Sequence, residues 1–189
     1  MRKVMVTMGA AVLALTLAAP AAGAAAPART AAAKTVSVEK YAKVLCSTYT
    51  AWQKSLDGSN APSPDVTDLA AAKKAATDYF AGLVASTKAA IAKLKKAGIP
   101  DVDNGKRVAK SFRTYLSHAA AEISDALAKV DAADPTSADY LTTVSQVLSS
   151  LATIDTRLGD PFSKVESQDL LGAFKAEKSC KGVVTIIGG

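Results

Sequence analysis

Proline is sparse in this chain, and its spacing is the feature that most constrains the fold. After Pro27, proline occurs only at positions 62, 64, 100, 135 and 161. Proline is tolerated in the first turn of a helix but disrupts the interior of one. Alanine, the best helix former, is abundant, whereas only 5% of the residues are aromatic, which argues against a β-sandwich or barrel. The sequence therefore predicts an all-α fold whose helices begin and end near the prolines.

Four blocks between these prolines carry apolar residues at three- and four-residue steps, the pattern of amphipathic helices. The blocks span about residues 37–56, 64–98, 104–133 and 134–159. The predicted core positions are Val38, Tyr41, Leu45, Tyr49, Trp52 and Leu56; Leu69, Ala72, Ala76, Phe80, Leu83, Thr87, Ala90 and Leu94; Val108, Phe112, Tyr115, Ala119, Ile123, Ala126 and Val130; and Leu141, Val144, Leu148, Leu151, Ile154 and Leu158.

Short connections between consecutive helices favour antiparallel neighbours. We therefore expect an antiparallel up-down-up-down four-helix bundle over residues 37–182, with a short C-terminal fifth helix folded back on the first. The predicted helix caps are Ser37, Ser63, Asp103 or Asn104, and Ser167. The tail, residues 183–189, is apolar but too short to span a membrane.

The first 26 residues have the pattern of a secretory signal peptide. Arg2 and Lys3 precede an apolar run, and Pro20 then leads into the small residues 21–26. The alternative is a retained membrane anchor, but an uninterrupted span needs roughly 20 apolar residues. We expect cleavage between about residues 23 and 28, a flexible leader at 27–36, and a mature protein that is secreted, extracellular or cell-wall associated.

Cys46 and Cys180 are the two cysteines of the chain. In an oxidising compartment they have one partner choice, so a single structural disulfide is expected. A reactive redox pair would more often have the C-x-x-C spacing. A bond that closes so long a loop is expected to stabilise the fold by roughly 4–5 kcal/mol.

Eight cations within 26 residues form what we call the basic cluster, and only Asp101 and Asp103 oppose them. The cluster comprises Lys88, Lys93, Lys95, Lys96, Lys106, Arg107, Lys110 and Arg113. Cations at the end of the second helix complement its dipole, whereas cations at the start of the third oppose it. One interpretation of the basic cluster is a solubilising surface, which binds no ligand.

A functional interpretation of the cluster is that it binds an extracellular anion, such as an anionic wall polymer or lipid headgroups. The candidate anion-binding residues are Lys93, Lys95, Lys96, Lys106, Arg107, Lys110 and Arg113. Nucleic acid is not an expected partner, because export separates the protein from it and the sequence contains no recognised nucleic-acid-binding motif.

Two other patterns bear on metal or cofactor binding. The run Asp101–Gly105 resembles part of a calcium loop, but Phe112 stands where a ligating Glu belongs, so a turn followed by a helix cap explains it better. Tyr115 and His118 are three residues apart and could ligate a haem. The alternative function is thus an extracellular carrier of an apolar ligand or haem in the bundle interior; we expect neither a resident metal nor a cofactor.

The sequence gives no support for catalysis. Glu122 and Asp125 lie three apart, as a pair on a helical surface would, and no nucleophile, metal set or glycine-rich loop accompanies them. We therefore expect a non-enzymatic protein.

The leader, the alanine-rich blocks, Cys46 and Trp52 near the start and Cys180 near the end make this chain similar to small secreted proteins of high-GC Gram-positive bacteria. The resemblance extends over most of the chain. It implies no activity and supplies no site residues.

Overall fold

The computed structural model describes residues 34–57, 61 and 67–181, and within these ranges the protein is mostly helical. The predicted signal peptide, most of the leader and the tail lie outside the described residues. The elements are β1 (Thr35–Val36), α1 (Val38–Leu56), α2 (Leu69–Ala97), β2 (Ile99–Pro100), α3 (Gly105–Ala132), α4 (Tyr140–Ala152), α5 (Ile154–Leu158), a 3₁₀ turn (Pro161–Lys164), α6 (Gln168–Ala176) and a second 3₁₀ turn (Lys178–Cys180). None of the helices within the described ranges is long and apolar enough to cross a membrane.

The core of α1, α2 and α3 follows the predicted stripes closely. Every predicted position on α3 is buried, and on α2 only Leu69 is half-buried. On α1, Val38 and Leu56 at the two ends are half-buried. Buried residues outside the stripes, such as Ala109 and Leu116, widen the packed face of α3. The α2–α3 pair forms the most extensive helix contact, and α1 packs against both α2 and α6.

Two helix caps are confirmed and two differ. The hydroxyls of Ser37 and Ser167 accept from the backbone N–H groups three residues on. Helix α2 begins at Leu69 rather than near residue 64, capped by Asp68, which accepts from Ala71 N at 2.9 Å; Ser63 lies outside the described residues. Asn104 occupies the N-cap position of α3 with φ 63°, and its side chain makes no capping hydrogen bond.

The predicted fourth helix, residues 134–159, is wrong in its start, its continuity and part of its stripe. Asp134 accepts from the backbone N–H and hydroxyl of Thr136, both at 2.8 Å, and this turn holds the chain outside a helix until Tyr140. The register then buries Tyr140 and leaves Leu141 37% exposed. The helix is interrupted at Thr153, whose hydroxyl donates to the Ser150 carbonyl at 3.1 Å.

A two-stranded parallel sheet, with two residues in each strand, attaches the N-terminal segment to the α2–α3 connection. The predicted all-α fold does not include this sheet. Ile99 N donates to Lys34 O and Asp101 N to Val36 O, each at 2.9 Å. The predicted flexible leader therefore overlaps the fold at residues 34–36. Gly98, with φ +95°, permits this approach, because a Cβ there would lie 2.4 Å from Lys34 O.

The predicted disulfide is confirmed. Cys46 of α1 and Cys180 are bonded, with their Cα atoms 5.0 Å apart, and both are fully buried. Beside the bond, the Thr50 hydroxyl donates to Ser179 O at 3.1 Å. The C-terminal end of the described chain is thus fixed to α1.

Candidate anion-binding groove

A groove of about 420 Å³ lies between α3 and the segment that runs from the end of α5 through the first 3₁₀ turn. We call it the basic groove. It is lined by Arg107, Lys110, Ser111, Thr114, Tyr115 and His118 on α3, and by Leu158, Gly159, Asp160, Pro161, Ser163 and Lys164 on the facing segment. The α3 residues recur at three- and four-residue steps, which brings them to one face of the helix.

The charge of the basic groove is predominantly positive. Arg107, Lys110 and Lys164 line it, and Asp160 is the only carboxylate among its described lining residues. Arg107 is paired with Glu166, Nη2 to Oε2 at 2.6 Å, and both side chains are exposed. Lys110 and Lys164 have no ion pair within the described ranges. Two ammonium groups are therefore available to a bound anion.

Hydroxyl groups add neutral donors on the same wall. Ser111 and Thr114 both line the groove, and no other group in the described part of the chain engages their hydroxyls. The Ser163 hydroxyl, by contrast, already donates to Asp160 O at 2.7 Å. The α3 wall can thus offer cations and hydroxyl donors to an oxyanion.

The facing wall is anchored by Phe162, whose side chain is 1% exposed. Its ring packs edge-on against Tyr49, Phe112 and Phe174, with centroids 5.4, 4.7 and 5.5 Å away. Asp160 Oδ1 accepts from Phe162 N at 2.8 Å and starts the 3₁₀ turn. The turn therefore presents Lys164 to the groove from a fixed position rather than from a free loop.

A hydrogen-bonded chain of two phenols joins α1, α3 and α5 beside the groove. The Tyr49 hydroxyl donates to the Tyr115 hydroxyl at 3.4 Å, and the Tyr115 hydroxyl donates to Asp155 on α5. Burial, and then the bond to Asp155, raise the pKa of Tyr115 far above its usual value. Burial likewise raises the pKa of Tyr49 to about 12. Both phenols therefore stay protonated at neutral pH.

The structure brings the two residues of the predicted haem pair to the same groove. Tyr115 and His118 both line it, and the Tyr115 hydroxyl already donates to Asp155. Haem ligation by this pair stays a prediction. Glu122 of the acidic pair forms an ion pair with Arg157. Within the described ranges, no group of three or more His, Cys, Asp or Glu side chains could hold a metal ion.

The structure divides the basic cluster. Of its members, only Arg107 and Lys110 line the basic groove. Arg113 is half-buried. The burial of Tyr41 raises the pKa of that phenol, and the positive charge of Arg113 lowers it in part. Lys88, Lys95, Lys96 and Lys106 are exposed elsewhere, and Lys93 lines a separate cleft between α1 and α2.

Lys164, a groove residue that the sequence reasoning missed, lies 54 positions after Lys110. Nothing in the local pattern indicates that the turn around Phe162 folds against the first turns of α3. The sequence predicts a short turn around Phe162 and Val165 after Asp160 and Pro161, but not the helix against which it packs. No protein-family model, curated protein or solved structure matches this chain.

Proposed function

We propose that this protein binds a phosphate-bearing anion of a cell envelope through the basic groove, and that it does so without catalysing a reaction. The observation that carries the proposal is the convergence of Lys110 and Lys164, from two segments distant in sequence, on a groove with one carboxylate among its described lining residues. Opposite charge attracts such a ligand to a cationic groove.

The position of the α3 cations also supports this function. Arg107, which lines the groove, and Lys106, which does not, lie in the first turn of α3, and no acidic residue accompanies them there. Cations at this helix end are unfavourable by a few tenths of a kcal/mol each, because the helix dipole places partial positive charge there. Cations that serve only solubility could lie at other surface positions, where the helix dipole does not oppose them.

The ligand chemistry follows from the side chains. Exposed lysines act as point charges through screened attraction, so binding is expected to weaken as salt increases. Arg107 can hold an oxyanion with two parallel hydrogen bonds once it is released from Glu166. A polymer phosphodiester and a lipid headgroup share this chemistry, and the choice of probe distinguishes them.

The proposed site of action is outside the cell, as for the small secreted proteins that this chain resembles. The Cys46–Cys180 disulfide supports this proposal, because such bonds persist in oxidising compartments. Sequencing the N-terminus of the protein recovered from culture medium tests it. We expect a start between about residues 23 and 28, whereas an intact Met1 on a membrane-bound product would contradict secretion.

We further infer that α1 to α4 form the up-down-up-down bundle expected from the sequence. Support comes from the sheet: β1 leads directly into α1, β2 precedes α3, and the two strands are parallel. The chain would therefore enter α1 and α3 at the same end, with α2 returning between them.

The binding test uses the folded mature protein with its disulfide intact. Its three probes are a purified phosphate-rich wall polymer, vesicles of phosphatidylglycerol in phosphatidylcholine, and phosphatidylcholine vesicles alone, each across a salt series. The double variant Lys110→Gln/Lys164→Gln should bind the preferred anionic probe about three- to tenfold more weakly, with a flatter salt dependence.

The matched control is Lys95→Gln/Lys96→Gln, which removes the same charge from the end of α2 and should bind like wild type. Preference for the polymer or for the anionic vesicles identifies the source of the phosphate. Equal binding of both anionic probes by wild type and the groove variant at low salt would reject the proposed function.

A further inference from the structure

The ion pair between Arg107 and Glu166 lies where two cavities meet. Next to the basic groove, a cavity of about 310 Å³ lies between the start of α3 and the start of α6. We call it the adjoining cavity. Arg107 and Lys164 line both cavities, whereas Glu166 lines the adjoining cavity and Lys110 lines the basic groove. Glu166 therefore draws the guanidinium toward the adjoining cavity and away from Lys110.

The backbone on both sides of Glu166 is held in place. Val165, which precedes it, is buried, and its N–H donates to Phe162 O at 2.9 Å. Ser167, which follows it, caps α6 by accepting from Leu170 N at 3.3 Å. The carboxylate of Glu166 thus extends toward α3 from a fixed point and not from a free loop.

The contact between Glu166 and Arg107 is suited to exchange with a ligand. It is a hydrogen bond from Arg107 Nη2 to Glu166 Oε2 at 2.6 Å, and the two side chains are 61% and 72% exposed. Exposed ion pairs contribute little to stability, and salt screens them. A phosphate, in contrast, can accept two parallel hydrogen bonds from one guanidinium. An anion in the basic groove can therefore displace Glu166.

Glu166 also supplies an acid that α3 lacks. The first turn of α3 contains Lys106 and Arg107 and no acidic residue of its own. The helix dipole places partial positive charge at this end, so a carboxylate that approaches from another segment is favourable there. A purely structural role of Glu166 would consist of this stabilisation alone, and the test must separate it from an effect on binding.

We propose that Glu166 competes with the bound anion for Arg107 and thereby limits the affinity of the basic groove. The inference rests on the proposed function, because it concerns the same site. Without a ligand, Glu166 occupies the guanidinium. When a phosphate binds near Lys110 and Lys164, Arg107 turns from Glu166 to the phosphate, and the ion pair is lost. A groove without this carboxylate binds the anion more tightly.

The test measures binding of the disulfide-intact mature protein to the purified phosphate-rich wall polymer and to phosphatidylglycerol vesicles, at low and at high salt. Glu166→Gln keeps the shape of the side chain and removes its charge. It should bind the anionic probes about two- to fivefold more tightly at low salt, and the gain should disappear at high salt.

The matched control is Asp169→Asn. It removes the same charge from an exposed side chain of the adjoining cavity that has no ion pair within the described ranges. Its effect on binding should stay below about twofold, as expected of a general change in charge. An increase in affinity equal to that of Glu166→Gln would reject competition for Arg107.

A double-mutant cycle separates competition from a purely structural role. Arg107→Gln should weaken binding about twofold in wild type and about five- to tenfold in the Glu166→Gln background, where the guanidinium is fully available. Glu166→Gln should also have a slightly lower urea midpoint, because the favourable pair at the start of α3 is lost. A lower midpoint with unchanged affinity would show a structural role alone and overturn the proposal.

The remaining outcomes distinguish this inference from the proposed function. If Glu166→Gln binds like wild type while Lys110→Gln/Lys164→Gln binds more weakly, the competition is rejected and the proposed function stands. If Arg107→Gln has the same effect in both backgrounds, the competition is likewise rejected. If neither wild type nor Glu166→Gln binds either probe, both the inference and the proposed function are overturned.

Discussion

The helices α1 to α3 and the segment after Ala133 reach their positions by different means. Each of the three helices is 19 to 29 residues long and buries a continuous stripe. The later elements are 3 to 13 residues long, and helices this short are marginal on their own. That segment is instead held by particular contacts: the disulfide, the Phe162 ring and the Tyr115–Asp155 hydrogen bond.

The basic groove lies along the boundary between these two regions. Its first wall is part of α3 and forms whenever α3 packs. Its second wall exists only while the anchors hold Asp160 to Lys164 in place. Perturbing the anchors should therefore damage anion binding more than it damages the α2–α3 pair, and the predictions below test that difference.

The largest expected effect is that of Phe162→Ala. Removing a buried phenylalanine costs about 3–5 kcal/mol of unfolding free energy, and here three edge-on ring contacts are lost with it. Urea denaturation measures the loss, and anion binding should fall with it. The control, Leu141→Ala, truncates an exposed side chain and should change stability by less than about 0.5 kcal/mol. Similar losses in the two variants would contradict the anchoring role of Phe162.

Removing the disulfide should have the next largest effect. The double variant Cys46→Ser/Cys180→Ser is expected to lose about 2–5 kcal/mol, because the unfolded chain regains the freedom that the bond removes. Amide hydrogen exchange should accelerate more in α6 than in α2 and α3, since the bond ties the end of the later region to α1 and involves neither α2 nor α3. Uniform acceleration throughout the chain would show that the two regions unfold as one. Thiol labelling of unreduced, denatured wild type should find no free cysteine.

The sequence predicted the first region well because helix periodicity is a strong, local signal. The stripe from Val108 to Val130 on α3 needs only a 3.6-residue period and no knowledge of its partner. The disulfide needed only a count of cysteines and the inference of export. The helix stripes depend on residues close in sequence, and the disulfide follows because each cysteine has one possible partner. A single sequence is therefore enough to predict both features.

The rest depends on contacts between distant residues. Strands of two residues, such as Thr35–Val36, are too short to show any period. Tyr140 and Leu141 are adjacent and both apolar, so the pattern could not decide which one is buried. Lys164 enters the groove only because Phe162 packs into the core, and no local feature specifies that packing. Half of the candidate site therefore could not be derived from the sequence.

High pH should weaken the chain of phenols, in which Tyr49 bonds to Tyr115 and Tyr115 bonds to Asp155 of the later region. A phenol whose pKa is higher in the folded protein than in the unfolded chain contributes stability that is complete below pH 10 and is lost as pH rises. For Tyr49 the loss occurs between pH 10 and about 12, at up to about 1.4 kcal/mol per pH unit. Urea midpoints at pH 8, 10 and 11 measure it. Tyr49→Phe should show a shallower decline, and identical slopes would contradict the assignment.

Tyr115→Phe tests the phenol chain at neutral pH. It removes the donor to Asp155 and the acceptor for Tyr49, at an expected cost of about 1–2 kcal/mol. Tyr79→Phe is the control, because the described residues offer its hydroxyl no hydrogen-bond partner. We expect weaker anion binding in Tyr115→Phe at unchanged far-UV circular dichroism. Stability equal to that of Tyr79→Phe would mean that the chain of phenols does not position the wall.

The smallest effect compares the two ends of the basic cluster. Lys106 lies in the first turn of α3 and Lys96 in the last turn of α2, so the dipoles act on them with opposite sign. Lys106→Gln should raise the free energy of unfolding by a few tenths of a kcal/mol, and Lys96→Gln should lower it by a similar amount. Neither residue lines the basic groove, so stability can change without removing a groove contact. Denaturation at low salt and at 1 M salt measures both shifts, which should shrink together as the charges are screened. Shifts of the same sign at low salt would refute the dipole account and, with it, the argument that cations in the first turn of α3 are unfavourable.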